Sequence, residues 1–442
     1  MNLALQDPFA VAKDFPDTLV HTLLYGHSVY IQFNRQGDYL ASGLSNGTIV
    51  VYDLATNTIV CVLARAGHIR PITSLAWSQC GRYLLLSSQD WTCILWDLQL
   101  ANATANDGPN RAILRRVLFD GPIWNTCLHP ANPLLFVASL FENDPVLINV
   151  ENEGAPVITS LATEPLEKRA ADDDVNNDDD ELIRTSAGAK HRTFVTAFDT
   201  SGNYIFAGTS QGWLNIIDAH TMHTVFLLRV TSSNMKTLVF SPDGRKLAVN
   251  SSDRVIRQFN LPDMVHSRDP ALWEFEVEHR YQDVVNRLQW NTVAFSHNSE
   301  FLVASTFGQS SQDLYLWETS MGTLIKILEG SHEELIDVKW NYRKCMIGAT
   351  GLDSGAVYLW LVQFPLKWSA LAPDFVEIEE NDEYEEKEDE FDIIDEVDLM
   401  KRRMEEEDTV VDIMTMDATD VRGFDTQTRS FVIPINYERC GA

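Results

Sequence analysis

The sequence predicts an all-β chain: a seven-bladed β-propeller followed by a largely disordered acidic tail. Three observations predict it. A unit closing on a short polar mark recurs along the first 361 residues, and its closest spacings are 42 to 44 residues. Each unit reads as short runs of β-branched, leucine or aromatic residues parted by Gly, Asp and Asn turns, as strands of a pleated, half-buried surface do. Beyond residue 363 the apolar pattern breaks into islands and the acids crowd together.

The clearest unit opens with Gly67-His68, continues through Ile72 to Trp77 and Gly81 to Ser88, and passes Asp90 to close on Trp96-Asp97. A Gly-His start and a Trp-Asp end mark a WD40 blade, whose period is roughly 40–45 residues. An earlier unit runs from Gly26-His27 through Tyr39 to Gly43 and Asn46-Gly47, ending at Tyr52-Asp53. Weaker copies run Ile123 to Asn149, Phe194 to Asp218, Lys236 to Asn260 and Val293 to Glu318, and a seventh opens at His332 and closes at Trp360. Wider spacings between some units imply loop insertions. A ring of four-stranded blades closes when the first stretch of chain completes the last blade. The strand-like run Thr18 to Tyr25 is therefore expected to form the outer strand of blade seven. His68, Ser88, Asp90 and Trp96 fit the buried hydrogen-bond chain that WD40 blades carry, a structural use of His and Asp rather than a catalytic one.

These signals divide the chain into an N-terminal extension (1–17), the propeller (18–363) with an acidic loop inserted at about 164–190, and an extended, acidic partner-binding tail (364–442). The net charge is −30. Asp374 to Asp412 supplies 20 acids against 4 bases, and Asp172 to Glu181 supplies 7 acids and no base. The body is only mildly acidic, which argues against a dedicated nucleic-acid binder and leaves room for a local basic patch. Residues 1–16 lack the basic and apolar regions of a secretory signal, and the apolar runs are strand-length, so no membrane span is expected. The six cysteines form no CxxC pair and read as thiols of a reducing compartment. No phosphate loop, dinucleotide fingerprint, nucleophile elbow or metal-ligand spacing is present. The expectation is a non-enzyme without cofactor or metal.

The tail carries Trp368-Ser369-Ala370-Leu371-Ala372-Pro373-Asp374-Phe375, Glu383-Tyr384-Glu385-Glu386 and Glu390-Phe391-Asp392-Ile393. The body carries Phe33-Asn34-Arg35, Ser252 to Arg257, Asp283 to Arg287 and Gly322 to Leu328. Together, over nearly the whole chain, these resemble the retinoblastoma-binding-protein-five family. Its fungal members are the WD-repeat scaffold of the COMPASS complex, which methylates lysine 4 of histone H3. The resemblance implies a nuclear, non-catalytic scaffold that links SET-domain, SPRY-domain and second WD-repeat subunits and helps to engage the nucleosome.

The resemblance also implies sites. Tyr384, Glu388, Glu390, Phe391, Asp392 and Ile393 match the segment that binds the SPRY subunit. Such acids suit arginine-rich grooves, and Phe391 and Ile393, two apart, share one face of an extended strand. Trp368, Ala372, Pro373 and Phe375 match the stretch that orders the SET domain; Pro373 keeps Ala372 extended. Val411, Asp412, Ile413, Met416 and Asp417 match the motif for the WD-repeat partner. Arg229, Arg257 and Arg287 match loop arginines that touch nucleosomal DNA. Without the resemblance, the propeller alone would equally suit a generic adaptor such as a ubiquitin-ligase substrate receptor, because this fold hosts many roles.

Overall fold

The computed structural model describes residues 15–362, apart from 64–66, 104–111, 142, 152–153, 162, 164–191, 265–269, 284–286 and 309–312, together with residues 396–407. The propeller and the helix at 396–407 fall in separate compact units and are described separately.

Seven four-stranded antiparallel sheets make the propeller. Blades one to six span residues 28–63, 72–118, 123–160, 193–229, 235–281 and 289–328. Blade seven joins Leu335–Trp340, Met346–Gly351 and Val357–Leu361 to the first strand of the chain, Thr18–Leu23. That strand pairs Thr18 with Leu361 and Leu23 with Val357, so the ring closes where the sequence pattern predicts. Contact with the ring begins slightly before residue 18. Phe15 lies edge-on to Phe301 with centroids 5.7 Å apart, and Asp17 sits 3.4 Å from Lys326 Nζ.

The sequence dictates which strands are most deeply packed. Second strands such as Tyr39–Leu44, Tyr204–Thr209 and Met346–Gly351 are buried at every position, because neighbouring blades cover both faces. Outer strands such as Thr224–Arg229 alternate less cleanly and stay partly exposed. Apolar clusters fill the interfaces between neighbouring blades. Ala41, Ile49 and Val51 of blade one meet Leu84, Leu86 and Trp96 of blade two. Ile31, Phe33 and Tyr52 meet Val357 and Leu359 across the closure. The Asp of the Trp-Asp mark anchors a neighbouring turn instead. Asp97 takes a two-pronged ion pair from Arg82, with Nη2 2.6 Å from Oδ2. Every inner strand slips register near its start, as between Ile72 and Ser74. Such a bulge re-aims the following side chains, here around the central channel.

In the tail, Glu396–Glu407 is an α-helix. The sequence leads to the expectation of a largely disordered acidic tail, and within it these twelve residues are helical. Their composition explains it. Leu, Met, Lys, Arg and Glu are strong helix formers, and Glu396 and Asp398 lie in the first turn, where the helix dipole favours acids.

Candidate interaction surfaces

Antiparallel blades put the connections between successive blades on one face, together with the turns between second and third strands. This face is called upper. Arg229 ends the outer strand of blade four, Arg257 follows the turn of blade five, and Arg287 lies between blades five and six. The fold thus brings all three arginines to the upper face of adjacent blades.

Their settings differ. Arg229 is exposed and stacks over Trp213 at 5.7 Å. Arg287 is exposed in a left-handed conformation (φ 51°), its N–H donating to Asp283 O at 3.1 Å. Arg257 is turned inward, with its side chain 13% exposed. Its guanidinium donates to Asp253 Oδ2 at 2.5 Å and to Ser251 Oγ at 2.9 Å. Asp253 also accepts from Thr231 Oγ1 at 3.0 Å, from Val255 N–H at 3.2 Å and from Ser251 Oγ. Burial would raise the Asp253 carboxyl, but these hydrogen bonds outweigh it and hold the group below its usual range. One further arginine of this turn, Arg254, is exposed at φ 70°. Its carbonyl accepts from the Trp290 indole at 3.0 Å.

Other polar clusters on this face are structural. His68 Nδ1 lies 3.0 Å from Asp90 Oδ2, and Thr92 Oγ1 donates to Asp90 Oδ1 at 2.6 Å. Ser88 donates to Arg70 O and accepts only the backbone N–H of Asp90, at 3.3 Å, and neither Trp96 Nε1 nor His68 Nε2 has a hydrogen-bond partner among the described residues. The expected His68–Ser88–Asp90–Trp96 chain is therefore shorter, with Thr92 taking the place expected for Ser88. In blade seven Glu333 plays the comparable part. It accepts the N–H groups of Asp353 and Ser354, each at 2.7 Å, the Ser354 hydroxyl, and the Tyr358 hydroxyl at 2.5 Å.

The central channel widens into a cavity of about 480 Å³ lined in part by Tyr30, Trp77, His129, Phe198, Lys339 and Tyr342. Lys339 lies 3.3 Å from Asp337 and over the Tyr30 ring at 4.8 Å. The half-buried lysine is thus paired within the wall. Among the described residues no group of three His, Cys, Asp or Glu has metal-site geometry.

The tail residues singled out from the sequence lie outside the described residues. These are Trp368, Ala372, Pro373 and Phe375; Tyr384, Glu388, Glu390, Phe391, Asp392 and Ile393; and Val411, Asp412, Ile413, Met416 and Asp417.

Blades with Gly-His and Trp-Asp marks, closed by an N-terminal strand, define a WD-repeat β-propeller protein. The WD domain, G-beta repeat family matches residues 17–53 and 59–97. The chain is 42% identical to "COMPASS component SWD1" of Saccharomyces cerevisiae, over 99% of this chain and 98% of that protein. It is 44% identical to "Set1 complex component swd1" of Schizosaccharomyces pombe, over 96% and 98%. A Drosophila melanogaster "Retinoblastoma-binding protein 5 homolog" is 29% identical over 98% of this chain and 82% of its own length. Among solved structures, the β-propeller domain of Myceliophteria thermophila Cps50 (Swd1) matches with a TM-score of 0.69 and 38% identity, over 79% of this chain and 100% of that one. The chain belongs to the family of Swd1 and retinoblastoma-binding protein 5.

Proposed function

We propose that this chain is the non-catalytic WD-repeat scaffold of a Set1/COMPASS-type histone H3 lysine 4 methyltransferase complex and works in the nucleus. The observation that carries this reading is similarity spanning 99% of the chain, tail included, to a relative named as a COMPASS component. A shared propeller alone would not choose among roles.

In this reading the tail does the linking. Trp368, Ala372, Pro373 and Phe375 order the SET domain. Tyr384, Glu388, Glu390, Phe391, Asp392 and Ile393 bind the SPRY-domain subunit. Val411, Asp412, Ile413, Met416 and Asp417 dock on a second WD-repeat propeller. The upper face meets nucleosomal DNA weakly through Arg229, Arg287 and the turn that holds Arg257. The exposure of Arg229 and Arg287 on one face supports this last contact.

An affinity purification of the tagged full chain from nuclear extract tests the reading, run beside a chain lacking residues 364–442. SET-domain and SPRY-domain subunits are expected with the full chain and lost with the truncated one. A truncated chain that retains both subunits would instead fit an adaptor that works through its propeller alone, and would overturn the proposal.

A further inference from the structure

We infer that the lower end of the central channel is a binding site for one carboxylate group of a peptide, gripped by the Arg35 guanidinium and the Tyr342 hydroxyl. The site goes beyond the scaffold role proposed above and uses neither the tail nor the upper face.

The inner strand of each blade starts at the upper face, so the residues that follow it ring the opposite, lower mouth of the channel. Arg35 follows the inner strand of blade one, and Tyr342 that of blade seven. Nothing in the proposed assembly uses Phe33-Asn34-Arg35. Two turns nevertheless hold this segment firmly. Asn34 Oδ1 accepts the N–H groups of Asp38 at 2.9 Å and of Tyr39 at 3.0 Å. Asn341 Nδ2 donates to Gly37 O at 2.9 Å, which clamps the blade-one turn to the blade-seven turn. The approach is so close that a Cβ on Gly37 (φ 79°) would lie 2.2 Å from Asn341 Oδ1.

On this base the Arg35 guanidinium lies over the Tyr342 ring, 5.2 Å from its centroid. Stacking occupies the flat face of a guanidinium and leaves its N–H edges for a planar carboxylate. The Tyr342 oxygen accepts from Gln32 Nε2 at 2.9 Å, so its own hydrogen is left to donate to a ligand. Gln32 is itself fixed, its carbonyl accepting from the Trp77 indole at 3.0 Å.

Charge selects the ligand. Arg35, His129 and Lys339 are the basic side chains of the cavity lining. Lys339 is paired with Asp337 at 3.3 Å. His129 Nδ1 already accepts the N–H groups of Ala131 and Asn132, and burial holds the ring below its ordinary pKa. Arg35 is exposed and has no ion-pair partner among the described residues. Asp199, the one acid of the described lining, stands across the channel on blade four and accepts from Ser201 Oγ at 2.5 Å. A single available cation matches a single carboxylate, whereas a phosphate, with a charge of about −1.5 to −2, would be only partly neutralised. Tyr30 and Trp77 supply apolar wall for the aliphatic part of the ligand, and the cavity of about 480 Å³ falls in the range of ligand sites.

Calorimetric titration of the full-length protein with three N-acetylated pentapeptides tests the site. One carries a glutamate side chain and a C-terminal amide, one a glutamine and a free C-terminal carboxylate, and one a glutamine and an amide. At least one carboxylate peptide should bind saturably and about tenfold more tightly than the neutral one. Which of the two binds identifies the source of the group. Arg35→Gln should abolish the difference, and Tyr342→Phe, which keeps the ring under the guanidinium, should shrink it several-fold. Arg35 is exposed, so thermal melts of both variants should match wild type. Should Arg35→Gln melt lower, Arg35→Lys keeps the charge without the planar fork and should still lose most of the difference. Carboxylate peptides that bind no better than the neutral one overturn the inference, and so does a difference that survives Arg35→Gln. A phosphoserine peptide that binds more tightly than both carboxylate peptides would make this a phosphate site and overturn it as well.

Discussion

Glu333 ties together a turn that glycine and serine would otherwise leave loose. One buried carboxylate collects two backbone N–H groups and two hydroxyls from the segment that leads into the last strand of blade seven. Replacing it by alanine strands several donors, and hydrogen bonds to a charged group contribute about 1.5–3 kcal/mol each at most. Glu333→Ala should therefore cost about 2–4 kcal/mol in urea denaturation; a loss under about 0.5 kcal/mol would show water replacing the carboxylate. In the tail, Phe391 and Glu390 combine an apolar anchor with a charge. A peptide of residues 380–398 should lose about tenfold in affinity for the SPRY subunit with either Phe391→Ala or Glu390→Lys, near 1.4 kcal/mol. Calorimetric titration checks it, and wild-type affinity in both would make this run only a solvated acidic tail. At this scale the sequence was partly legible. Gly-His and Trp-Asp marks announced His68 and Asp97, but the left-handed residues Trp91 and Arg254 were invisible, because no glycine flags the turn. Thr92 escaped notice for a similar reason: a hydroxyl two residues beyond Asp90 serves as well as one two residues before it.

The strand Thr18–Leu23 is the element on which the ring depends. Leu23 is 8% exposed and packs with Val357 and Leu359, whereas its neighbour Leu24 is 71% exposed. Truncating a buried leucine typically costs about 2–5 kcal/mol, and an exposed one within about 0.5 kcal/mol of nothing. Leu23→Ala should thus lower the melting temperature clearly while Leu24→Ala leaves it in place; equal melts for the two would mean that this strand adds little to closure. The strand was legible because its apolar run precedes the first full unit with nothing else to pair with. The helix Glu396–Glu407 was not. Its propensity signal lies inside a dense charge run, and the apolar Val397, Leu399, Met400 and Met404 are too few to stand out as a stripe. Blade boundaries emerged readily wherever turns kept the Asp-Gly or Asn-Gly pattern, as at Asn46-Gly47 and Asp243-Gly244.

At the scale of the whole molecule, acidity is both the tail's chemistry and the ring's vulnerability. Carboxylates in three blades are held below their ordinary range: Asp90, Asp243, Asp253 and Glu333. In each, burial pulls upward and is outweighed by hydrogen bonds: from His68 and Thr92 to Asp90, from Ser241 to Asp243, from Arg257 to Asp253 and from Ser354 to Glu333. A depressed carboxyl contributes stability above its unfolded value, and that contribution is lost as pH falls through its folded value. Asp313 and Asp337, both raised by burial, act in the other direction but are outnumbered. The melting temperature of the propeller should hold from neutral pH to about pH 5 and fall steadily below about pH 4. A melt independent of pH from about 6 down to about 3 would contradict the ion-pair and hydrogen-bond assignments. The seven-fold architecture was legible because interblade packing repeats one pattern. The upper-face sector was not, because it arises from residues far apart in sequence that only the ring brings side by side.

Closure by Thr18–Leu23 also sets an order of events during synthesis. The strand leaves the ribosome early, yet its partner Val357–Leu361 comes more than three hundred residues later. At typical elongation rates of about 5–20 residues per second, the first strand waits roughly 17–70 seconds for its place in the sheet. Blades one to six can pack against one another meanwhile, but the open ring keeps two unsatisfied edges, one at each end. Any chain that stops short of Leu361 never seals, so a partner that recognises the sealed ring admits only completed copies to the assembly.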